Sequence, residues 1–269
     1  MTTECQFSLG TSTGAPYATT IKVAIAGNFF DPAGMAMATN FINQLNSQSP
    51  VPSVCIKLYP NSTGVLQSEI AIDPYLYDIL FAVDMVSKDF LDQLPGLKYT
   101  PFRYAIGIPV LFALRSIGTV NNLISGTSGT YEASIPNVTT AYVIKNAASV
   151  LAVADPSNAP YGDVGMKILA KIGKDSTLVI DSVSYETVIA VENAVENGLN
   201  GVHSGFVARS QIYLERNYVT YVEFPQYPMN QEALQLTAKA NALVSYIQAE
   251  INNDNWDAFL TYYGYDPLP

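Results

Sequence analysis

Ile21-Lys-Val-Ala-Ile-Ala26-Gly-Asn28-Phe-Phe-Asp31-Pro32, running on into Ala33 to Leu45, is the stretch that decides the fold. Ile21 to Ala26 is a run of β-branched and small apolar residues broken only by Lys22, and it reads as a buried strand. Beyond Pro32 the period changes. Met37, Phe41 and Leu45 recur every four residues, which places them on one face of a helix. The same switch follows at once. Val54-Cys-Ile-Lys-Leu-Tyr59 is a second strand, Pro60-Asn61-Ser62-Thr63-Gly64 a polar turn, and Leu66 and Ile70 mark the next helix. Tyr77 to Val83 is a third strand. Strand, helix, strand in this order predicts an α/β protein with a mostly parallel sheet covered by helices.

Further along, a second set of such units begins near Tyr104. It comprises Val150 to Ala154 as a strand, a helix over Tyr161 to Ile172, a strand over Thr177 to Ile180, and a long helix from Tyr185 to Asn197. From Gln231 onward two helical stretches are split by Asn252-Asn253-Asp254. The Gly-, Ser- and Thr-rich stretch from Ser116 to Thr140 reads as an insertion or surface loop. With 269 residues and roughly 150 per domain, two lobes are expected.

Composition removes several classes of function. The chain is 49% apolar, too rich for a disordered protein, yet only 13% charged, so its surface must be largely neutral and polar. Thirteen Lys and Arg against 23 Asp and Glu give a net charge of -10, which argues against a nucleic-acid partner. It does not argue against a small anion, because local dipoles can hold one inside an acidic protein. The longest apolar run, Ala105 to Leu114, contains Gly107 and Pro109 and is about half the roughly 20 residues a membrane span requires. The N-terminus lacks the pattern of a secretory signal. Cys5 and Cys55 are the only cysteines, and disulfide and free thiols both remain open. With a single histidine, His203, they cannot make a Cys-rich zinc site.

Three segments share one design, a strand ending in small or polar residues with a helix starting at once. They are Ala26 to Pro32, Pro60 to Gly64, and Asp155-Pro-Ser-Asn-Ala-Pro160-Tyr161-Gly162. Helix N-termini offer unpaired N–H groups and a partial positive charge, which favour an anion. Asn, Ser, Thr and Asp are equally the ordinary capping residues, so caps and anion site stand as alternatives. There is no phosphate-binding glycine motif and no hydrolase elbow around Ser204-Gly205. Glu192 and Glu196 share a helical face and read as solvated. His203 reads as a surface residue, and the Tyr262-Tyr263-Gly264-Tyr265 cluster as packing.

Read in order, these segments resemble the periplasmic molybdate-binding proteins, the ModA family of solute receptors of molybdate ABC transporters. Val23 to Phe29 resembles their first strand and loop, Ser62-Thr-Gly64 their second anion loop, and Tyr77 to Asp84 the next strand. Pro101 to Gly107, Asp155 to Gly162, Gly205 to Gln211, Glu223 to Gln226 and Tyr263 to Tyr265 continue the match to the end of the chain. The resemblance implies a type II periplasmic-binding-protein fold with two α/β lobes, residues 1–103 and 223–269 in one and 104–222 in the other, and a ligand cleft between them. It implies an oxyanion ligand, molybdate or tungstate, held by Gly27 and Asn28, by Ser62 or Thr63, and by the backbone at Tyr161 and Val188. No metal cation is bound directly and no cofactor is needed. The implied protein is a periplasmic monomer, not an enzyme, with an ABC permease subunit as its partner. A receptor for another oxyanion or a small organic anion, a ligand-sensing domain, or an enzyme on the same fold are the alternatives. Two departures are that Ala208 stands where some relatives supply Tyr, and Arg209 where an apolar residue is usual.

Overall fold

The computed structural model describes residues 5–9, 17–48, 53–84, 88–94, 96–114, 129–130, 151–175, 182–214, 219–253 and 255–269. It divides into two compact units. Unit 1 is Met1–Ala105, Asn230–Tyr262 and Pro267–Pro269; unit 2 is Ile106–Met229 with Tyr263–Asp266.

The deciding stretch forms the middle of unit 1. Strand β2 (Thr19–Ala26) runs parallel to β3 (Val54–Asn61) on one side and to β4 (Ile79–Val83) on the other. The six-stranded sheet has the order β1-β3-β2-β4-β12-β5, with β1 at Phe7–Leu9, β12 at Met229–Gln235 and β5 at Phe102–Gly107. Because β2 lies between β3 and β4, the chain winds first to one side and then to the other. The carboxyl end of β2 is therefore the switch point at which open α/β sheets bind ligands.

Helices cover the sheet where the sequence period requires it. A short turn, α1 (Gly27–Phe29), and an irregular stretch at Phe30–Gly34 lead into α2 (Met35–Asn46), which buries Met37, Ala38, Phe41, Ile42 and Leu45. Helix α3 (Thr63–Ile72) buries Leu66 and Ile70 among Ala24, Leu80, Leu234, Phe90 and Leu94, with Phe90 in the short helix α4 (Lys88–Leu91) and Leu94 just after it. Each such fully buried Leu, Ile or Phe contributes about 1.5–3 kcal/mol.

Cys5 and Cys55 are joined as a disulfide, their Cα atoms 5.8 Å apart. The bond fastens the chain just ahead of β1 to β3, with which β1 pairs antiparallel through Ser8 opposite Cys55.

Unit 2 has its own six-stranded sheet. It consists of β6 (Pro109–Leu114), β7 (Gly129–Thr130), β8 (Leu151–Ala154), β9 (Ser182–Tyr185), β10 (Ser204–Ala208) and β11 (Val219–Glu223), in the order β7-β11-β6-β10-β8-β9. Strands β8, β9 and β10 are parallel, and β6 opposes β10 and β11. The unit's long helices are α5 (Pro160–Asp175) and α6 (Val188–Asn197), with a single turn, α7 (Arg209–Ile212), after β10. Helices α8 (Asn241–Asn252) and α9 (Asn255–Tyr262) belong to unit 1.

Several expectations change here. Tyr185 ends strand β9 rather than opening a helix, and Thr187 is the N-cap of α6, its hydroxyl accepting from the Ala190 N–H. The strand expected at Thr177 to Ile180 lies outside the described residues, as does the Ser116 to Thr140 stretch apart from Gly129–Thr130. Glu192 is not simply solvated: it accepts a 2.8 Å hydrogen bond from Gln211 Nε2. His203 is half-buried, and its Nδ1 is enclosed without a hydrogen-bond partner.

Arg209, the departure noted in the sequence, has a defined task within unit 2. Its Nε donates to the Gly264 carbonyl at 2.8 Å, one guanidinium nitrogen to Glu223 at 3.4 Å and the other to Asp266. Burial alone would lower its pKa, but the bond and charge of Asp266, with Glu223, outweigh burial and hold it above the ordinary value. Gly264 adopts φ +79°, and a Cβ there would lie 2.6 Å from Tyr213 Cβ, so only glycine lets the tail lie this close. Residues Tyr263–Asp266 are thereby fixed to unit 2, with Asp266 bridged to Ile106.

Candidate functional site

Strand register brings the loops singled out in the sequence together in pairs. In unit 1, Ala26 at the end of β2 lies opposite Asn61 at the end of β3. The next residues, Gly27 and Asn28 on one strand and Ser62 and Thr63 on the other, therefore emerge side by side. In unit 2, Ala154 at the end of β8 lies opposite Tyr185 at the end of β9, and the Asp155 N–H donates to the Tyr185 carbonyl at 2.6 Å. The loop to Tyr161 and the loop to Val188 thus start from one edge. Each unit carries the same device, two adjacent parallel strands ending level and each passing into a helix.

Helix α3 shows how the donors of unit 1 are disposed. Ser62 is its N-cap, a position whose hydroxyl ordinarily accepts from the first turn, but here it makes no capping bond. The hydroxyl is buried and has no hydrogen-bond partner. The Ser62 N–H is taken by Asn61 Oδ1 at 2.8 Å, and the first intrahelical bond is from the Leu66 N–H to the Ser62 carbonyl. Thr63, Gly64 and Val65 precede that bond, in the turn whose N–H groups a helix leaves unpaired. The Thr63 hydroxyl is committed differently, accepting from the Val83 N–H at 3.2 Å and so tying the loop to β4. The two hydroxyls that the sequence leaves as alternatives are therefore unlike.

Asn28 is 1% exposed and its Nδ2 donates to Gln231 Oε1 at 2.9 Å. Gln231 is wholly buried on β12, directly opposite Val83. Phe29, the next residue of the Asn28 turn, forms a buried triad with Phe81 and Tyr104, the ring centroids 4.7 to 5.6 Å apart. Gln231 is a polar residue of the site that the sequence reading missed.

In unit 2, Tyr161 is the second residue of α5, after Pro160 at the position where proline costs no hydrogen bond. The turn before it is closed by the Asn158 and Ala159 N–H groups donating to the Asp155 carbonyl. Gly162 is required for this approach: a Cβ would lie 2.1 Å from the Ala154 carbonyl oxygen. Val188 opens α6, and the Thr187 cap engages the N–H groups of Ala190 and Val191 while leaving those of Val188 and Ile189 outside it. Asn28, Ser62, Thr63, Tyr161 and Val188 are each 5% exposed or less, and Gly27 is buried. None of the loops carries a lysine or arginine.

The Asp155 carboxylate orders its own turn. Its pKa is held below the ordinary value by the Ser157 hydroxyl and then the Ser157 N–H, which outweigh desolvation, with a lesser contribution from the Asn158 amide. A lowered carboxylate pKa contributes order that is complete above the ordinary value of about 3.9 and is lost as pH falls through the lowered one. An NMR titration should show the Ser157 amide following a midpoint below that of free aspartate; a midpoint at or above it would contradict this arrangement.

Among the described residues no group of three or more His, Cys, Asp and Glu could hold a metal ion, and no helix is long and apolar enough to cross a membrane.

No protein-family model matches the chain. It is 27% identical over 245 residues to the molybdate-binding protein ModA of Azotobacter vinelandii, covering 87% of this chain and 86% of that one. Among solved structures, it is similar to the periplasmic molybdate-binding protein of Azotobacter vinelandii, with a TM-score of 0.61, 21% identity, and coverage of 93% of this chain and 99% of that one. A phosphate-bound substrate-binding protein of Clostridium perfringens, assigned to a phosphate ABC transporter, matches with a TM-score of 0.57 at 9% identity, over 93% of this chain and all of that one. The family resemblance seen in the segments is borne out: the chain has the type II periplasmic-binding-protein fold and is similar, over most of its length, to the molybdate-binding proteins of that fold.

Proposed function

We propose that the chain is an extracytoplasmic solute-binding protein that takes up molybdate, and tungstate as its near-isostere, and delivers it to an ABC permease. It makes and breaks no covalent bond in its ligand. The observation that carries this reading is the paired loops of each unit, with the uncapped, buried Ser62 hydroxyl among them. The molybdate-binding relatives favour the same reading. In unit 1 the proposed anion donors are Gly27, Asn28 and Ser62; in unit 2 they are the backbone N–H groups at Tyr161 and Val188. Thr63 supports its neighbours through Val83. Neutral N–H and O–H donors suit a fully deprotonated tetrahedral anion, because each bond they give to it is charge-assisted. The Cys5–Cys55 disulfide fits an oxidising compartment such as the periplasm.

The test is a thermal-shift series with molybdate, tungstate, sulfate, phosphate and chromate at equal concentration. The expected result is a rise in melting temperature with molybdate and tungstate, since a ligand that binds only the folded protein stabilises it. No shift with either would overturn the assignment. Ser62→Ala and Asn28→Ala should each weaken molybdate binding by about tenfold or more in calorimetry, the worth of one bond to a charged group at about 1.5–3 kcal/mol. Unchanged affinity in Ser62→Ala would remove that hydroxyl from the ligand set.

A further inference from the structure

We propose that unit 1 carries a second ligand site, a cleft for a small aromatic carboxylate at the end of its sheet away from the anion loops. This site is separate from those loops and does not depend on what they bind.

The cleft has a volume of about 470 Å³, within the range of about 300–1,000 Å³ usual for small-molecule sites. Strand register fixes where it lies. Val83, whose N–H donates to the Thr63 hydroxyl, is opposite Gln231 at one end of the β4–β12 pair, and Ile79 is opposite Gln235 at the other. Asp78 precedes Ile79 and Leu236 follows Gln235, and both line the cleft. The four residues from Val83 to Ile79 span about 13 Å of strand, so the cleft and the Ser62-Thr63 loop occupy opposite ends of the sheet.

The lining names the ligand. Leu97 and Leu236 give it apolar surface, Tyr99 is half-buried, and Tyr75 leaves its ring 80% exposed. Lys98, from the segment that leads to β5, and Lys239, from the turn after β12, are both exposed, and among the described residues neither ammonium has an ion-pair partner. Asp78 is the one carboxylate of the lining. It is 2% exposed, and its oxygens accept from the Lys22 N–H at 2.8 Å and from the Thr237 hydroxyl. Two lysines against one carboxylate leave a local excess of positive charge in a chain whose net charge is -10, and that excess selects an anion. A hydrated inorganic oxyanion would leave the leucines and tyrosines unused, and a neutral ring would leave the lysines unused. A carboxylate on an aromatic ring uses both, with its ring on Leu97, Leu236 and Tyr99 and its charge beside the exposed lysines, away from buried Asp78.

The test is an NMR titration of the isotope-labelled full chain with benzoate, its neutral counterpart benzamide, and molybdate, repeated on a Lys98→Gln, Lys239→Gln double variant. Benzoate is expected to shift the backbone amides of Leu97, Lys98 and Lys239 saturably, and benzamide to bind more weakly. Molybdate should leave those amides where they are. The double variant is expected to weaken benzoate by about threefold or more, the scale of two exposed ion pairs. High salt should weaken benzoate in wild type, since exposed charges are screened. Both lysines are exposed, so the double variant should keep the melting temperature of wild type, which separates lost binding from lost folding. No saturable shift at these amides with benzoate would overturn the site. Equal binding of benzamide, or an unchanged benzoate affinity in the double variant, would overturn the choice of an anion. Benzoate shifts confined to the Gly27 and Ser62 loops would show that carboxylates enter the anion site instead, and would likewise overturn the second site while leaving the first.

Discussion

Removing the Cys5–Cys55 disulfide by a Cys5→Ala, Cys55→Ala double substitution is expected to lower the melting temperature by roughly 8–16 °C. The two cysteines are 50 residues apart. Closing a loop of that length costs the unfolded chain about 4 kcal/mol of conformational freedom, and each kcal/mol is worth about 2–4 °C in a protein near this size. The bond also has a local task. Strand β1 is only three residues long and stands at the edge of the unit 1 sheet, so three rungs to β3 are all that pair it. Without the disulfide β1 should fray first and leave the flank of β3 open, an invitation to pairing with another chain. Thermal unfolding of the double variant beside wild type measures the first effect, and light scattering on heating measures the second. An unchanged melting temperature would show that the cross-link constrains little in the unfolded chain.

Asp78→Ala is expected to cost about 3–6 kcal/mol, the sum of two bonds to a buried carboxylate at about 1.5–3 kcal/mol each. Asp78 is 2% exposed and joins three pieces of unit 1. Its side chain accepts from the Lys22 N–H at 2.8 Å and from the Thr237 hydroxyl, and its carbonyl accepts from the N–H groups of Leu236 and Thr237. Alanine leaves the half-buried Lys22 N–H without its carboxylate acceptor. Asp78→Asn separates shape from charge. Its carbonyl can still meet Lys22, and the Thr237 hydroxyl can turn to accept from the amide, so a smaller cost is expected. Urea denaturation of the two variants decides the matter. Equal losses would mean that the carboxylate's charge, rather than its acceptors, is what the position needs.

Local chemistry made much of unit 1 legible. Ile21 to Ala26 had to be a strand because its apolar run has no helical period, and Met37, Phe41 and Leu45 could share a face only on a helix. Asn28 and Ser62 were recognisable as loop polar groups, but their adjacency was not. It depends on Ala26 and Asn61 ending level, which register fixes and spacing does not. Gln231 gave no local sign at all, since its partner is 203 residues away. Glu192 likewise reads as solvated from its helical face alone, because its partner Gln211 lies 19 residues on, in the turn after β10. Tyr185 was misplaced for a different reason. Thr187, a strong N-cap residue just ahead of Val188, was a usable signal, and placing the helix start there would have left Tyr185 to the strand. Cysteine spacing could not decide the disulfide, because only the pairing of β1 with β3 sets the distance.

The order in which segments enter the two units bears on how the chain matures. Strand β12, made near the end of the sequence, inserts between β4 and β5, and the tail that Arg209 grips is made later still. A nascent chain arrested before residue 230 holds a first sheet whose edge strand β5 is parted from the other four, and an Arg209 with neither Gly264 nor Asp266 to engage. Pairings this distant along the chain form slowly, because a long loop must close before any contact rewards it. Neither unit is therefore complete until segments beyond residue 229 have been made, and until then each lacks a part that its packing uses.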